Sequence, residues 1–160
     1  MQTIDPVYPQ IVTRRETKIL HFSLPDLFPG NSKLALSLET RTLSLISDGP
    51  QLIVEEQLSV NEMRMLVPIL TSFPHYCPYE VLLCYMFSKV VTDTAIARCR
   101  QQLHEAQSQG TWLQELKPIR RAISSLRAKL SSFSLGISNI REGGCSLIGL
   151  PSSNHTRFLD

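Results

Sequence analysis

Apolar and polar positions follow a period of two over several short runs early in the chain and a helical period later. Leu34, Leu36 and Leu38 alternate with Ala35 and Ser37, and Leu43 and Leu45 alternate with Thr42 and Ser44. Leu52 and Val54 follow the turn Asp48-Gly49-Pro50. Alternation of this kind buries one face of a strand and leaves the other in water, and Asp-Gly between two such runs predicts a hairpin. A small antiparallel sheet is therefore expected. A longer run, Ile11 to Leu24, predicts one further strand. Pro29-Gly30-Asn31-Ser32 is a turn signal and the best boundary candidate, separating an N-terminal arm (1–33) from a domain that starts at 34.

At Leu58 the period changes. Ser59-Val60-Asn61-Glu62 forms a capping box: the serine hydroxyl accepts from the third backbone amide while the glutamate reaches back to the cap. Val60, Met63, Leu66, Val67 and Leu70 trace one helical face, and Pro68, which lacks a donor, is expected to kink that helix. A second helix is predicted to open at Pro78 and run through YEVLLCYMF, apolar almost all round and so central to the core. Thr92 or Asp93 can cap a third, with Ile96, Cys99, Leu103 and Ala106 on one face and Gly110 as its stop. Trp112 is read as a packing anchor for this segment.

The segment 117–132, KPIRRAISSLRAKLSS, carries the sharpest pattern. Ile119, Ile123, Leu126 and Leu130 fall within roughly 60° of each other on a helical wheel. Arg121, Ser124 and Ala128 face the opposite way, with Arg120, Ser125 and Arg127 on the flanks. Ile137, Ile140, Leu147 and Leu150 then flank Glu142-Gly143-Gly144, which predicts a closing hairpin, and residues 151–160 are expected to be a flexible tail. The fold class is α+β.

Charge sharpens this picture. The 160 residues carry a net charge of only +2, but residues 1–90 hold seven Lys or Arg against nine Asp or Glu, whereas residues 91–160 hold nine against five. Between 116 and 141 stand Lys117, Arg120, Arg121, Arg127, Lys129 and Arg141 with no acid at all. Such a run is either a solvated helix face or a footprint for a polyanion, and composition alone leaves both open.

Several function classes fall away. No nucleophile elbow, no Gly-rich phosphate loop after a strand and no His-Glu-x-x-His is present, so the chain is not expected to be an enzyme. Cys77, Cys84, Cys99 and Cys145 lack Cys-x-x-Cys spacing and the histidines are scattered, so neither a metal, a cofactor nor a disulfide framework is expected; Cys84 and Cys99 read as buried thiols. No stretch approaches the roughly 18 apolar residues of a helical membrane span, and the start of the chain does not read as a signal peptide. A cytoplasmic, nucleoid-associated location without membrane contact is the expectation.

Three stretches, in order, resemble the OmpR-type DNA-binding domain of bacterial response regulators. Leu58 to Leu66 (LSVNEMRML) is similar to that family's LTxxExxLL entry into its first helix. Ile123 to Leu130 (ISSLRAKL) is similar to the recognition-helix core IxxLRxKL, and Ile140 to Leu147 (IREGGCSL) to the wing VRGxGYxL. The resemblance covers about residues 34–150. It implies a winged helix-turn-helix with an N-terminal antiparallel sheet, three core helices, an inserted segment at about 88–116 and a hairpin wing at about 137–150. Glu142 and Cys145 depart from the wing pattern, and the expectation is a domain of this type without a receiver domain.

The implied function is sequence-specific binding of double-stranded DNA by a transcription regulator, with the helix at 117–132 in the major groove. On that basis Arg121, Ser124, Ser125 and Ala128 face base edges. Arg120, Arg127 and Lys129 flank phosphates, Lys117 sits near the helix start, and Arg141 serves the wing, which the resemblance places on the adjacent backbone or minor groove. A homodimer on repeated half-sites is expected, built through the N-terminal strand or through Ile96, Cys99 and Leu103. The alternative is a protein-interaction module that docks on RNA polymerase or another regulator through the inserted helix.

Overall fold

The computed structural model describes residues 11–13, 18–28, 31–47, 52–140 and 143–151. The chain folds as α+β, with two antiparallel sheets around a set of helices. In chain order the elements are β1 (Ile11–Thr13), β2 (Lys18–Phe22), β3 (Lys33–Ser37), β4 (Thr42–Ile46), β5 (Leu52–Gln57), α1 (Val60–Ser72), β6 (Cys77–Pro78) and α2 (Tyr79–Phe87). There follow α3 (Asp93–Gln109), α4 (Trp112–Glu115), α5 (Lys117–Leu130), a single 3-10 turn (Ser131–Phe133), β7 (Leu135–Ile140) and β8 (Gly144–Gly149).

The first sheet runs β1-β2-β3-β4-β5, each pair antiparallel. Its register aligns Leu20 with Leu36, Phe22 with Leu34, Leu34 with Leu45 and Leu36 with Leu43, so the alternating leucines stack on one buried face. Leu38 falls outside the alternation, in the turn after β3. The run Ile11 to Leu24, expected as one strand, is two strands that pair with each other. Residues of the expected arm (1–33) also enter this sheet. β2 is bonded into the same sheet as β3, and Leu20, Phe22, Leu24 and Phe28 join the common core. Asp48-Gly49-Pro50 lies outside the described residues, as do residues 152–160 of the expected tail.

The helices follow their local signals. The capping box at α1 closes as expected, with Ser59 Oγ accepting from the Glu62 amide and the Glu62 side chain accepting from the Ser59 amide. α1 continues through Pro68 to Ser72 as one helix. α2 buries Leu82 to Met86. α3 is capped by Thr92, which accepts from the Ala95 amide at 3.0 Å, and ends at Gly110 in the left-handed conformation.

The apolar stripe of α3 points inward. Cys99, Leu103 and Ala106 are buried, Ile96 is half-buried against the core, and the Arg100–Glu80 ion pair at 3.1 Å clips α3 to α2. The stripe expected to serve dimerisation or docking is thus covered by the chain itself. Trp112 packs on the core with its ring edge-to-face with Tyr79, centroids 6.0 Å apart. All four cysteines are buried. No helix among the described residues is long and apolar enough to cross a membrane.

The second sheet, β6-β8-β7, joins the closing hairpin to the short strand before α2, a strand with no periodic signal of its own. Cys77 pairs with Cys145 and Pro78 with Gly144. A Cβ on Gly144 would lie 1.9 Å from the Cys77 carbonyl oxygen, so only glycine permits this approach. Gly144→Ala is expected to cost about 1–3 kcal/mol through forced separation of β6 from β8. Chemical denaturation should show it as a lower midpoint, and an unchanged midpoint would mean the hairpin does not depend on that close approach.

Candidate nucleic-acid interface

The basic segment forms α5, with Pro118 in its first turn and Ile119, Ala122, Ile123, Leu126 and Leu130 buried. Lys117, Arg121, Ser124 and Ala128 repeat that spacing shifted by two residues, about 200° round the helix, and all four are exposed. Arg120 is exposed beside them. Among the described residues, no carboxylate lies within ion-pair distance of Lys117, Arg120 or Arg121; the two ion pairs are Arg100–Glu80 and Lys129–Glu62. Trp112, close to the start of α5, leaves this outer face uncovered.

The flanks of α5 make hydrogen bonds to the rest of the fold. On one side Ser125 Oγ donates to Glu62 Oε2, while Lys129 Nζ donates to Glu62 Oε1 at 2.8 Å and to the Gln57 carbonyl at 2.7 Å. Ser125 and Lys129, expected at base edges and phosphates, also tie α5 to the start of α1. The reason is Glu62, 4% exposed, whose buried carboxylate needs every available donor. Burial alone would push its carboxyl up, but hydrogen bonds from Lys129, Ser125 and the Ser59 amide, with the Lys129 charge, hold it below the ordinary glutamate range.

On the other side Arg127 Nε donates to the Ile137 carbonyl at 2.9 Å and Arg127 Nη2 to Asn139 Oδ1 at 3.0 Å. This arginine is half-buried and braces α5 against β7. Between the two elements runs an open groove of about 390 Å³, lined by Tyr79, Lys117, Arg120, Arg121, Ser124, Arg127 and Asn139, among others. Among the described residues, no acidic side chain lines it.

Tyr79 and Asn139 come to the groove from α2 and β7 and carried no sequence signal, because only the fold brings them beside α5. Burial raises the Tyr79 phenol above its usual range, so it stays a neutral donor near neutral pH. Burial likewise pushes the Cys145 thiol at the groove floor up to about 11. Cys145 Sγ donates to Asn139 Oδ1 at 3.5 Å, so Asn139 Oδ1 accepts from both Cys145 and Arg127. The amide nitrogen of Asn139 is left as a donor.

Arg141 lies outside the described residues. The surface that remains is therefore Lys117, Arg120, Arg121, Ser124 and Ala128 on the helix, with Arg127, Asn139 and Tyr79 across the groove. Cations without acidic partners among the described residues, neutral donors and a concave wall suit an extended polyanion. Among the described residues no three His, Cys, Asp or Glu side chains gather as metal ligands. No family model matches this chain, and no curated protein or solved structure is significantly similar to it.

Proposed function

We propose that the chain is a sequence-specific regulator of transcription that binds double-stranded DNA as a winged helix-turn-helix. In this reading α1, α2 and α5 are the three core helices, α5 enters the major groove and the β7–β8 hairpin is the wing. The resemblance to OmpR-type domains and the order of elements favour it. The observation that carries it is the outer stripe of α5, where Lys117, Arg121, Ser124 and Ala128 stand exposed next to a hairpin, with no carboxylate in ion-pair reach among the described residues.

Arg121, Ser124 and Ala128 are the base-edge residues in this reading, since arginine can bind guanine bidentately and alanine can meet a thymine methyl. Lys117, Arg120 and Arg127 hold phosphates. One α5 covers a single half-site, so two copies on repeated half-sites are expected. Docking of a partner through Ile96 and Leu103 would require α3 to leave α2, and nothing on the outer face of α3 replaces them.

Selection on randomised duplexes followed by gel-shift titration between roughly 50 and 200 mM salt tests the proposal. An enriched consensus with affinity falling steeply as salt rises is the expected result, because neutralised phosphates release counterions. Salt-sensitive binding with no consensus would leave only a non-specific DNA binder, and no binding at low salt would end the DNA reading.

A further inference from the structure

The end of the first sheet and the C-terminal end of α1 border an open cleft of about 550 Å³, within the size range of small-molecule sites. It is separate from the cationic groove, and the two share no lining residue among those described. Its floor is apolar, built from Phe22, Leu24 and Leu70, all buried, and from half-buried Phe73. Its rim carries two opposite charges, Asp26 and Lys33, both exposed.

The chain around the rim holds these charges in place. The amides of Leu27 and Phe28 both donate to the Leu24 carbonyl at 2.9 Å, and the buried side chains of Leu24 and Phe28 anchor the turn that presents Asp26. Lys33 is the first residue of β3, in register with Ile46. Among the described residues, neither Asp26 nor Lys33 makes an ion pair, with the other or with a third group. Two opposite charges that line one cleft without bridging suit a ligand that carries both.

The end of α1 adds to the negative side. Its last turn, which reaches the cleft at Leu70 and Thr71, holds no basic residue, so the partial negative charge of its terminal carbonyls is not offset within the helix. Thr71 Oγ1 donates to the Pro68 carbonyl at 3.1 Å, which uses its proton and leaves the oxygen as an acceptor. Half-buried His21 completes the lining with a ring that donates or accepts.

We infer that this cleft binds a free α-amino acid with an apolar side chain. Lys33 takes the carboxylate, Asp26 and Thr71 take the ammonium, and Phe22, Leu70 and Phe73 receive the side chain. The site is built on elements other than α5 and does not depend on the DNA reading.

The probe is L-phenylalanine, titrated into the full chain and followed by amide NMR shifts. Two analogues run beside it: 3-phenylpropionate, which lacks the ammonium, and 2-phenylethylamine, which lacks the carboxylate. Phenylalanine is expected to bind with a Kd of about 0.1–1 mM, the range open to so small a ligand, and to shift amides near Asp26, Lys33 and Thr71. Each analogue should bind about tenfold more weakly, through loss of one charge-assisted contact. Lys33→Gln should bring phenylalanine down to the affinity of phenylethylamine and leave phenylethylamine itself unchanged. Asp26→Asn should do the same with respect to phenylpropionate. Thermal unfolding of both variants should stay near wild type, because both side chains are exposed.

Absence of any shift with phenylalanine at about ten times that concentration would overturn the site. Analogues that bind as tightly as phenylalanine would overturn recognition of both charges. Losses from variant and analogue that simply multiply would do so too, since independent effects mean that the deleted charges do not meet. Shifts confined to α5 and its groove would place the ligand elsewhere and also end the inference. None of these outcomes bears on DNA binding.

Discussion

Reversing Arg120 and Arg121 together to glutamate is expected to lower duplex affinity at least about a hundredfold near 100 mM salt while leaving the fold intact. Both side chains are exposed and neither has a carboxylate partner among the described residues, so their removal breaks no internal ion pair. The reversal removes two phosphate-facing or base-facing cations and adds two anions in a groove whose described lining holds no acid. If both arginines neutralise phosphates, the salt slope should also flatten by about 1.8, from roughly 0.9 for each phosphate that is no longer neutralised. Arg121→Ala alone separates the roles. A bidentate base contact is worth about 1–3 kcal/mol at one position, so selection with this variant should relax the consensus there and nowhere else. A uniform weakening on all sequences would reassign Arg121 to the backbone. Retained affinity in the double reversal would move the interface off α5 altogether.

What the sequence made legible was local. The capping box at Ser59 and Glu62, the Thr92 and Gly110 ends of α3 and the four apolar positions of α5 each depend on residues a few positions apart, and each formed as its spacing predicts. The α+β class followed from the change of period at Leu58. The flanks of α5 were not legible, because what decides them is far away in the chain. Ser125 and Lys129 are 63 and 67 residues from Glu62, and Arg127 bonds a strand ten residues on. A wheel separates inner from outer positions; it does not say which flank meets a buried carboxylate and which meets a carbonyl. The single strand expected from Ile11 to Leu24 fails for a related reason. Its apolar residues can be counted, but they do not say that β1 pairs back on β2.

Glu62 shows how a local signal can hide a tertiary one. As a capping residue it needs one carboxylate oxygen, and Oε1 accepts the Ser59 amide at 2.8 Å. The same oxygen takes the Lys129 ammonium at 2.8 Å, and Oε2 takes the Ser125 hydroxyl. One buried side chain therefore closes the start of α1 and fixes the C-terminal half of α5, the helix proposed to read DNA.

Glu62→Ala is accordingly expected to destabilise the protein by about 3 kcal/mol, within the range for breaking a buried ion pair and toward its lower end because Lys129 is one-third exposed. Glu62→Gln should cost less, since it keeps an acceptor and the volume but sets an amide against the ammonium. The pH dependence has a definite sign. Burial opposes ionisation, yet the donors around Glu62 outweigh it and the folded carboxyl titrates lower than the unfolded one. Its contribution is thus complete above the range where an unfolded glutamate titrates, roughly pH 4–5, and disappears as pH falls through the depressed folded value. Urea unfolding of wild type and Glu62→Gln from about pH 7 to about pH 3 should show the wild-type advantage shrinking toward acid. Parallel profiles would show that this carboxylate is not the coupled group. Lys129→Met completes the argument on function: it should lower stability by leaving the carboxylate without its cation, yet leave the salt slope of DNA binding unchanged, because an ammonium tied to Glu62 is not neutralising a phosphate.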